Sequence, residues 1–458
     1  MIIMDNELNF ESLDSVKVDD ISTLEGMTPE KLDILNSLGV MTTDSYNEKV
    51  TSTKETNTDE DESKQEDLNK LAENTVSIKI DTDVDAPNII IPKAEIIRAL
   101  RYAVVMIKKV TNDMEASSLN ITYKDGKVLY RLKDNMTWVT LTGSCSVSHD
   151  KPITKTLTFK TAYITKLLSA ATDDLLIYEG TAAGPDGEER QVYYARLING
   201  DYILDVFEGN ETKLVPAGNK KDKLSSVLAR DISTLCDVML PLINDTQEVQ
   251  SKRTIIYEDR AFFRSITYLL QIRNSFTRMC LGKKELDLLK IVCAGAGDTQ
   301  VDFYSTDSDG ENRILIEAPN VVISTSVSVP IRDEVTVSRL LLLENAKYMK
   351  VNKDDFNRVL FLSGLGTNTV SRLLMNYCDD GIEARVESNI GNSTLHIAGE
   401  NYAGLSPRDE AVSIYSLPLS ILLKSFEKGK DLEVAFLPEG IAFRDKTLGV
   451  EAIMNYSS

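Results

Sequence analysis

Between residues 76 and 458 the sequence passes six times through one order of elements. Each copy has a short apolar strand ending in a polar residue, an amphipathic helix, and two to four strands joined by turns. The first copy reads IIIPKAEIIRALRYAVVMIKKV, LNITYKDGKVLYRLKD and WVTLTGSCSV. The second reads KTLTFKTAYITKLLSAATDD, LLIYEG, VYYARLI and YILDVF, and the third KLSSVLARDISTLCDVMLPLIND, RTIIYED and AFFRSITYLL. The fourth reads TRMCLGKKELDLLKIVCAGAGD, TQVDFYSTDSDGENRILIEA and VVISTSVSV. The fifth is KYMKVNKDDFNRVLFLSGLG, GIEARVES and STLHIAGE, and the sixth AVSIYSLPLSILLKSFEKGKD followed by LEVAFLPEGIAFRDKTLGVEAIMNY.

A single copy cannot close a core, because its sheet exposes one face and its helix one stripe; two copies together bury both. The expected fold is α+β, with three tandem domains of two copies each at residues 76–217, 218–345 and 346–458. Similar domains set end to end form an arc, and an arc that pairs head to tail closes into a ring.

The charge is uneven. The formal net charge of −20 argues against a uniformly basic nucleic-acid binder. Residues 1–75 hold 19 acids and 6 bases, so much of the acidity belongs to the N-terminal arm. In the body, bases gather on the helices. Lys93, Arg98, Arg101, Lys108 and Lys109 lie on the first, opposed by Glu95 alone, and Lys160 and Lys166 bracket the second. Lys283, Lys284 and Lys290 lie on the fourth, and Lys353 and Arg358 on the fifth beside Asp354 and Asp355. Lys424, Lys428 and Lys430 lie on or just after the sixth, while the third sets Arg230 against Asp231 and Asp237. Bases on one equivalent element of each repeat point to a phosphate-facing surface. The pattern leaves open that they are only the solvated faces of amphipathic helices. No base-reading motif accompanies them, so contact with double-stranded DNA would be to the backbone and independent of sequence.

The arm has its own composition. In residues 1–46, Thr28 and Pro29 mark a helix start, Leu32, Leu35 and Leu38 recur at helical spacing, and Gly39 ends the turn. The string LEGMTPEKLDILNSLGVMTTDSY resembles a helix–hairpin–helix unit over about thirty residues, with only Gly26 where that unit has two glycines. The alternative is a minimal helical hairpin that docks to protein. Residues 47–75 contain no aromatic residue after Tyr46 and few apolar ones, and read as an acidic flexible linker.

Little in the chain supplies catalysis, and the reading is of a non-enzyme without cofactor or metal. His149 and His396 are the two histidines, and neither has a partner at metal-ligand spacing. There is no GxSxG or GxxxxGK[ST]. Asp81, Asp83 and Asp85 begin like a calcium loop, but Ala86 and Pro92 stand where that loop needs Gly and Glu. Cys145, Cys236, Cys280, Cys293 and Cys378 form no CxxC pair and read as reduced thiols. No run approaches the length of a membrane span, and no secretory signal opens the sequence, so a cytoplasmic location is expected.

The repeat resembles the DNA sliding clamps, and the three-domain layout is that of the bacterial type, the beta subunit of the replicative polymerase. VNKDDFNRVLFLSGLG resembles the first helix of that family's last domain. IYSLPLSILLKSFEKGKDLEVAFLPEGIAFRD resembles its second helix and following strands, GVEAIMNYSS its last strand and tail, and MCLGKKELDLLKIV the matching helix of the middle domain. The resemblance covers residues 88–458, and the arm has no counterpart in ordinary clamps. A divergent, extended clamp of this kind fits a phage genome, acting in the bacterial host's cytoplasm. The resemblance implies a processivity factor: a homodimeric ring that encircles duplex DNA and tethers polymerase, clamp loader and other replication proteins. It implies DNA-facing roles for the helix bases, and a partner-peptide groove lined by Ile453, Met454 and Tyr456. The alternative is a clamp-like protein scaffold, for example in transcription, that does not encircle DNA.

Overall fold

Among the described residues of the computed structural model, copies one, three, four, five and six take the expected order of elements, and copy two its strands. The structure describes residues 87–106, 118–124, 126–147, 153, 155–160, 174–183, 188–197, 202–214, 218–245, 253–257, 259–273, 276–307, 312–328, 342–364, 372–388, 391–401, 411–426 and 432–457. The arm, the linker and residues 161–173, where the second copy's helix is expected, lie outside the described residues. The described residues belong to one compact unit, Ser77–Ser458.

Copy one comprises β1 (Ile89–Ile91), α1 (Lys93–Met106), β2 (Ser118–Lys124), β3 (Lys127–Lys133) and β4 (Thr137–Ser144), followed by a short β5 (Ser146–Val147). Copy two has β6 (Thr156–Lys160), β7 (Leu175–Ala183), β8 (Glu189–Leu197) and β9 (Tyr202–Glu208). Copy three has β10 (Lys220–Leu228), α2 (Ala229–Asp245), β11 (Arg253–Ile256), β12 (Arg260–Arg264) and β13 (Tyr268–Arg273). Copy four has β14 (Met279–Gly282), α3 (Lys283–Cys293), β15 (Gln300–Thr306), β16 (Arg313–Ala318) and β17 (Val321–Ser326). Copy five has β18 (Met349–Val351), α4 (Lys353–Gly364), β19 (Arg372–Cys378), β20 (Gly381–Ser388) and β21 (Gly391–Asn401). Copy six has β22 (Val412–Tyr415), α5 (Ser416–Lys424), β23 (Leu432–Phe436), β24 (Gly440–Asp445) and β25 (Val450–Asn455).

Local periodicity explains these elements. Along β4, buried Thr137, Val139, Leu141 and Gly143 alternate with half-buried residues, the period of two that a strand with one buried face requires. On α1, Ile96, Ala99, Leu100, Ala103 and Met106 recur three and four residues apart and are buried against the sheet. Pro92 starts this helix, its carbonyl accepting from the Glu95 and Ile96 amides at 2.9 and 3.2 Å. Gly143 permits the close approach of α1, since a Cβ there would lie 2.7 Å from the Tyr130 ring and 2.8 Å from the Glu95 carboxylate.

Antiparallel pairing joins the strands into two long sheets. One runs β10-β15-β16-β17-β4-β3-β2-β6-β9-β8-β7-β1-β5, and the other β14-β11-β12-β13-β25-β24-β23-β18-β21-β20-β19-β22. Two pairings link copies that are distant in sequence. β17 pairs with β4 from Val321↔Leu141 to Thr325↔Thr137. β13 pairs with β25 from Tyr268↔Met454 to Ile272↔Val450. The helices follow the same linkage: α1 packs on α3, α3 on α2, α2 on α5 and α5 on α4.

Side chains fasten both links. At the first, Thr137 and Thr325 hydroxyls meet at 3.0 Å, and the Arg313 guanidinium lies 4.5 Å from the Trp138 ring centre and donates to the Met136 carbonyl at 3.1 Å. At the second, Gln271 donates to Glu451 at 2.7 Å, and Ser425 Oγ donates to the Val238 carbonyl at 2.7 Å. Phe262, Leu269, Leu343, Tyr348, Ala435, Leu437, Ala442 and Ile453 form a separate apolar cluster there. All five cysteines are free thiols. Cys236 and Cys293 are buried, and burial pushes the Cys293 thiol up to about 12.

Candidate nucleic-acid interface

The helices carry the predicted bases, and the structure sorts them into three kinds. Three are built into the fold. Arg98 Nη2 donates to the Thr142 carbonyl of β4 at 2.6 Å and meets Glu95 at 2.7 Å, so its charge is spent on holding α1 to the sheet. Lys284 reaches Asp134 at 2.7 Å in the β3–β4 turn, across the first link. Asp134 is itself fixed there, accepting from the Met136 and Thr137 amides at 2.8 and 2.7 Å. Lys353 Nζ donates to the Phe426 carbonyl just beyond α5. Each of these three bases is engaged by a protein group while part of its side chain stays exposed.

A second group is at the surface but answered by carboxylates. Lys283 pairs with Asp287 at 2.9 Å, Lys290 with Asp237 at 3.1 Å, and Arg358 with Asp355 at 3.1 Å. Such exposed pairs add little stability. Their consequence is electrostatic: any phosphate must compete with a carboxylate already in place. The third group is Lys93 and Arg101, exposed on one face of α1 and making no ion pair with another described residue. Lys424 is exposed at the end of α5. Lys108, Lys109, Lys166 and Lys428 lie outside the described residues. The face is therefore a mosaic of charge and not a uniformly basic stripe.

Where α2, α3 and α5 meet, a cavity of about 320 Å³ is lined by Asp237, Asp287, Lys290, Lys424, Pro241 and Leu448, among others. Asp237, Asp287 and Lys290 there are the groups already paired along α2 and α3. Among the described residues, no three His, Cys, Asp or Glu side chains gather as metal ligands, and no helix is long and apolar enough to cross a membrane. His396 lies 3.5 Å from Asp380 on an exposed hairpin.

The tail residues alternate along β25. Ile453 packs into the apolar cluster at the second link, and Met454, fully buried, packs into the main core on the other face. Tyr456 is half-buried, and its hydroxyl donates to the Leu437 carbonyl at 2.6 Å. Beside them Ile266 is 74 % exposed at the β12–β13 turn, with its carbonyl accepting from Asn455 Nδ2 at 2.7 Å. Tyr456 packs against the main core, as Met454 does, while Ile453 belongs to the separate cluster and Ile266 is the exposed apolar side chain at the neighbouring turn.

Ile266 and Phe361, both strongly exposed, escaped the sequence reading. Each sits in an apolar run where burial is the ordinary expectation, and only the topology shows which position is left outside.

No protein-family model matches the chain, and no curated protein matches it. Solved structures do. The beta sliding clamp of Caulobacter crescentus superposes with a TM-score of 0.66 at 11 % identity, over 81 % of this chain and 98 % of that one. The sliding clamp, DNA polymerase III subunit beta, of Bartonella birtlesii gives 0.64 at 13 %, over 81 % and 99 %. The DNA polymerase sliding clamp of Bacillus subtilis gives 0.61 at 12 %, over 81 % and 98 %.

Proposed function

We propose that this chain, which has the fold of the bacterial sliding clamps, is a polymerase processivity factor. In this reading it has three domains at residues 76–217, 218–345 and 346–458, and two copies close head to tail around duplex DNA. The observation that carries it is the repeated architecture, whose five described helices form one packed series while the strands continue from copy to copy. The role is mechanical and makes or breaks no bond. A closed ring cannot leave DNA sideways, and diffuse contacts to phosphates let it slide. Carboxylates beside Lys283, Lys290 and Arg358 keep those contacts weak. Polymerase and loader would dock by short apolar peptides at the second link, over Ile453, Ile266 and Tyr456. Replication places this work in the cytoplasm, a phage-infected host's included.

The same carboxylate pairing is what favours a second reading, a clamp-like scaffold that does not encircle DNA. Salt dependence separates the two. Replacing Lys93 and Arg101 together by Ala removes two candidate phosphate contacts, so the slope of log affinity against log salt should fall by about two. Melting should stay unchanged, because both side chains are exposed. Lys284→Ala should instead lower the melting temperature, since it strands Asp134 at the first link. An unaltered salt slope in the double variant supports the scaffold.

The docking surface has its own test. Ile266→Asp puts a charge in the exposed apolar spot without touching the core. It should weaken binding of a polymerase-derived apolar peptide about tenfold or more, as expected for an apolar anchor of 2 kcal/mol or so. Tyr456→Ala should act in the same direction. Truncation before Met454 is a poor probe, because Met454 is core. Full-strength peptide binding by Ile266→Asp would place the groove elsewhere.

A further inference from the structure

The two links between distant copies differ on the sheet face turned away from the helices. At each, one row of opposed residues crosses the strands, beginning one residue after the hairpin closures Asp134/Thr137 and Ser265/Tyr268. At the first link the row is Trp138, Ser324, Leu315 and Tyr304. At the second it is Leu269, Ile453, Ala442 and Ala435. Two alanines therefore stand where the first link sets a leucine and a tyrosine. Opposed residues on neighbouring strands pack directly on one another, so two short side chains in a row leave a trough between their longer neighbours.

The trough is filled from within the chain. Ala435 and Ala442 are buried, and they share their apolar cluster with Leu343 and Tyr348 of residues 342–348, the segment that leads from copy four into copy five. The bulk that the strands lack comes from that segment. The cluster is separate from the main core, so emptying it leaves the main core in place.

The two ends of the segment are held differently. Tyr348 is anchored. The Arg444 guanidinium lies 3.7 Å from its ring centre and is itself held by Glu433 at 2.6 Å. The next residue, Met349, opens β18 and pairs with Asn401 on one side and Val434 on the other. Before Tyr348 the grip is slight. Leu342, Glu344, Asn345 and Lys347 are exposed, and Leu343 is fully buried. The Leu343 carbonyl accepts from the Ala346 amide at 3.3 Å and from the Tyr348 hydroxyl at 3.4 Å, both at the long end of the hydrogen-bond range. One leucine side chain is thus the main fastening of this turn.

We infer that Leu343 is a built-in occupant of the seat at which a partner's apolar peptide docks, and that docking is a displacement. A leucine-sized aliphatic side chain of the partner enters the trough over Ala435 and Ala442 as residues 342–347 swing out about Tyr348. This rests on the docking reading proposed above and adds its regulation. Ile453 belongs both to that docking surface and to the row beneath Leu343. A seat that is occupied from within lowers the apparent affinity by the fraction of time it stands empty. Burial of one leucine side chain corresponds to about tenfold to a hundredfold in that fraction. The connecting segment is therefore a competitor that weak apolar sequences do not overcome.

The test uses the full chain and two labelled peptides. One is LLLENAKY, the sequence of residues 341–348, and the other is the polymerase-derived apolar peptide of the docking test. Leu343→Ala empties the seat, and by fluorescence anisotropy it should bind both peptides at least tenfold more tightly than the native chain does. LLLENAKY carrying Leu343→Asp should bind neither protein. Equal affinity of the native chain and Leu343→Ala for both peptides, or weaker binding by the variant, overturns the displacement. If the polymerase peptide binds both proteins equally and is still weakened by Ile266→Asp, the docking surface stands and the displacement alone falls. If Leu343→Ala gains LLLENAKY while the polymerase peptide binds neither protein, the docking reading falls and takes the displacement with it. The native chain supplies a measurement that holds even where the variant does not fold. At saturating polymerase peptide, the Ala346 amide, which donates to Leu343, should exchange its hydrogen at least tenfold faster. Unchanged or slower hydrogen exchange at Ala346 means that the peptide binds beside the turn or over it, and overturns the displacement.

Discussion

Phe361→Ala should turn a paired chain into single chains at micromolar concentration. A Phe side chain taken from exposed to buried contributes about 1.5–3 kcal/mol. A ring of two copies contains the junction twice, so the variant forfeits about 3–6 kcal/mol of association, roughly a hundredfold to ten-thousandfold in the dissociation constant. Because Phe361 is 68 % exposed in the single chain, helix content by circular dichroism should not change. Sedimentation equilibrium reads the result. Association as tight as the native chain's would mean that α4 does not face the second copy.

Glu433→Ala should be the most destabilising of the polar substitutions. Glu433 is 8 % exposed and accepts from Arg444 Nε at 2.7 Å and Lys446 Nζ at 2.7 Å. Arg444 in turn lies 3.7 Å over the ring of Tyr348, which covers the apolar cluster at the second link. Removing the carboxylate strands a half-buried guanidinium and loosens that cover, for a cost of about 3 kcal/mol. Urea unfolding measures it. The pH dependence has a definite sign. Burial alone would push the Glu433 carboxyl up, but hydrogen bonds from Lys446 and Arg444 outweigh it and hold the group below the usual carboxylate range. A depressed pKa contributes stability that is complete above the unfolded value of about 4.3 and is lost as pH falls through the folded value. The native chain's advantage over Glu433→Gln should therefore be constant near neutral pH and shrink below about pH 4. An advantage undiminished at pH 3 would show that the carboxylate charge is not what Arg444 and Lys446 recognise.

The order of strands and helices was legible because it is written in local periods. The alternation in TWVTLTGS and the three-and-four spacing in KAEIIRALRYAVVM each fix an element without reference to anything distant. The tail was less legible: Ile453 and Met454 were expected in one groove, and the strand sets them in separate apolar clusters. The fate of the bases was only half legible. Glu95–Arg98, Lys283–Asp287 and Asp355–Arg358 are neighbours on one helix turn and could be anticipated from spacing. Lys284–Asp134 joins residues 150 positions apart, and Lys353 meets a backbone carbonyl 73 positions on. Such contacts exist only once β17 has paired with β4 and α4 has packed on α5. The strand links themselves were illegible, since pairing between third strands is decided by geometry and not by any residue that marks an edge.

A ring that encircles DNA is held there by its topology, and that is directly measurable. The native chain is incubated with a nicked circular plasmid, separated from unbound protein by gel filtration in high salt, and challenged with an enzyme that cuts the plasmid once. A closed, sliding ring predicts co-elution with the circle and loss from the linear product, because salt removes phosphate contacts but not encirclement and a free end lets the ring run off. Equal loss from circular and linear DNA, or equal retention on both, would contradict encirclement and leave a protein with the clamp fold but without the clamp's mechanism.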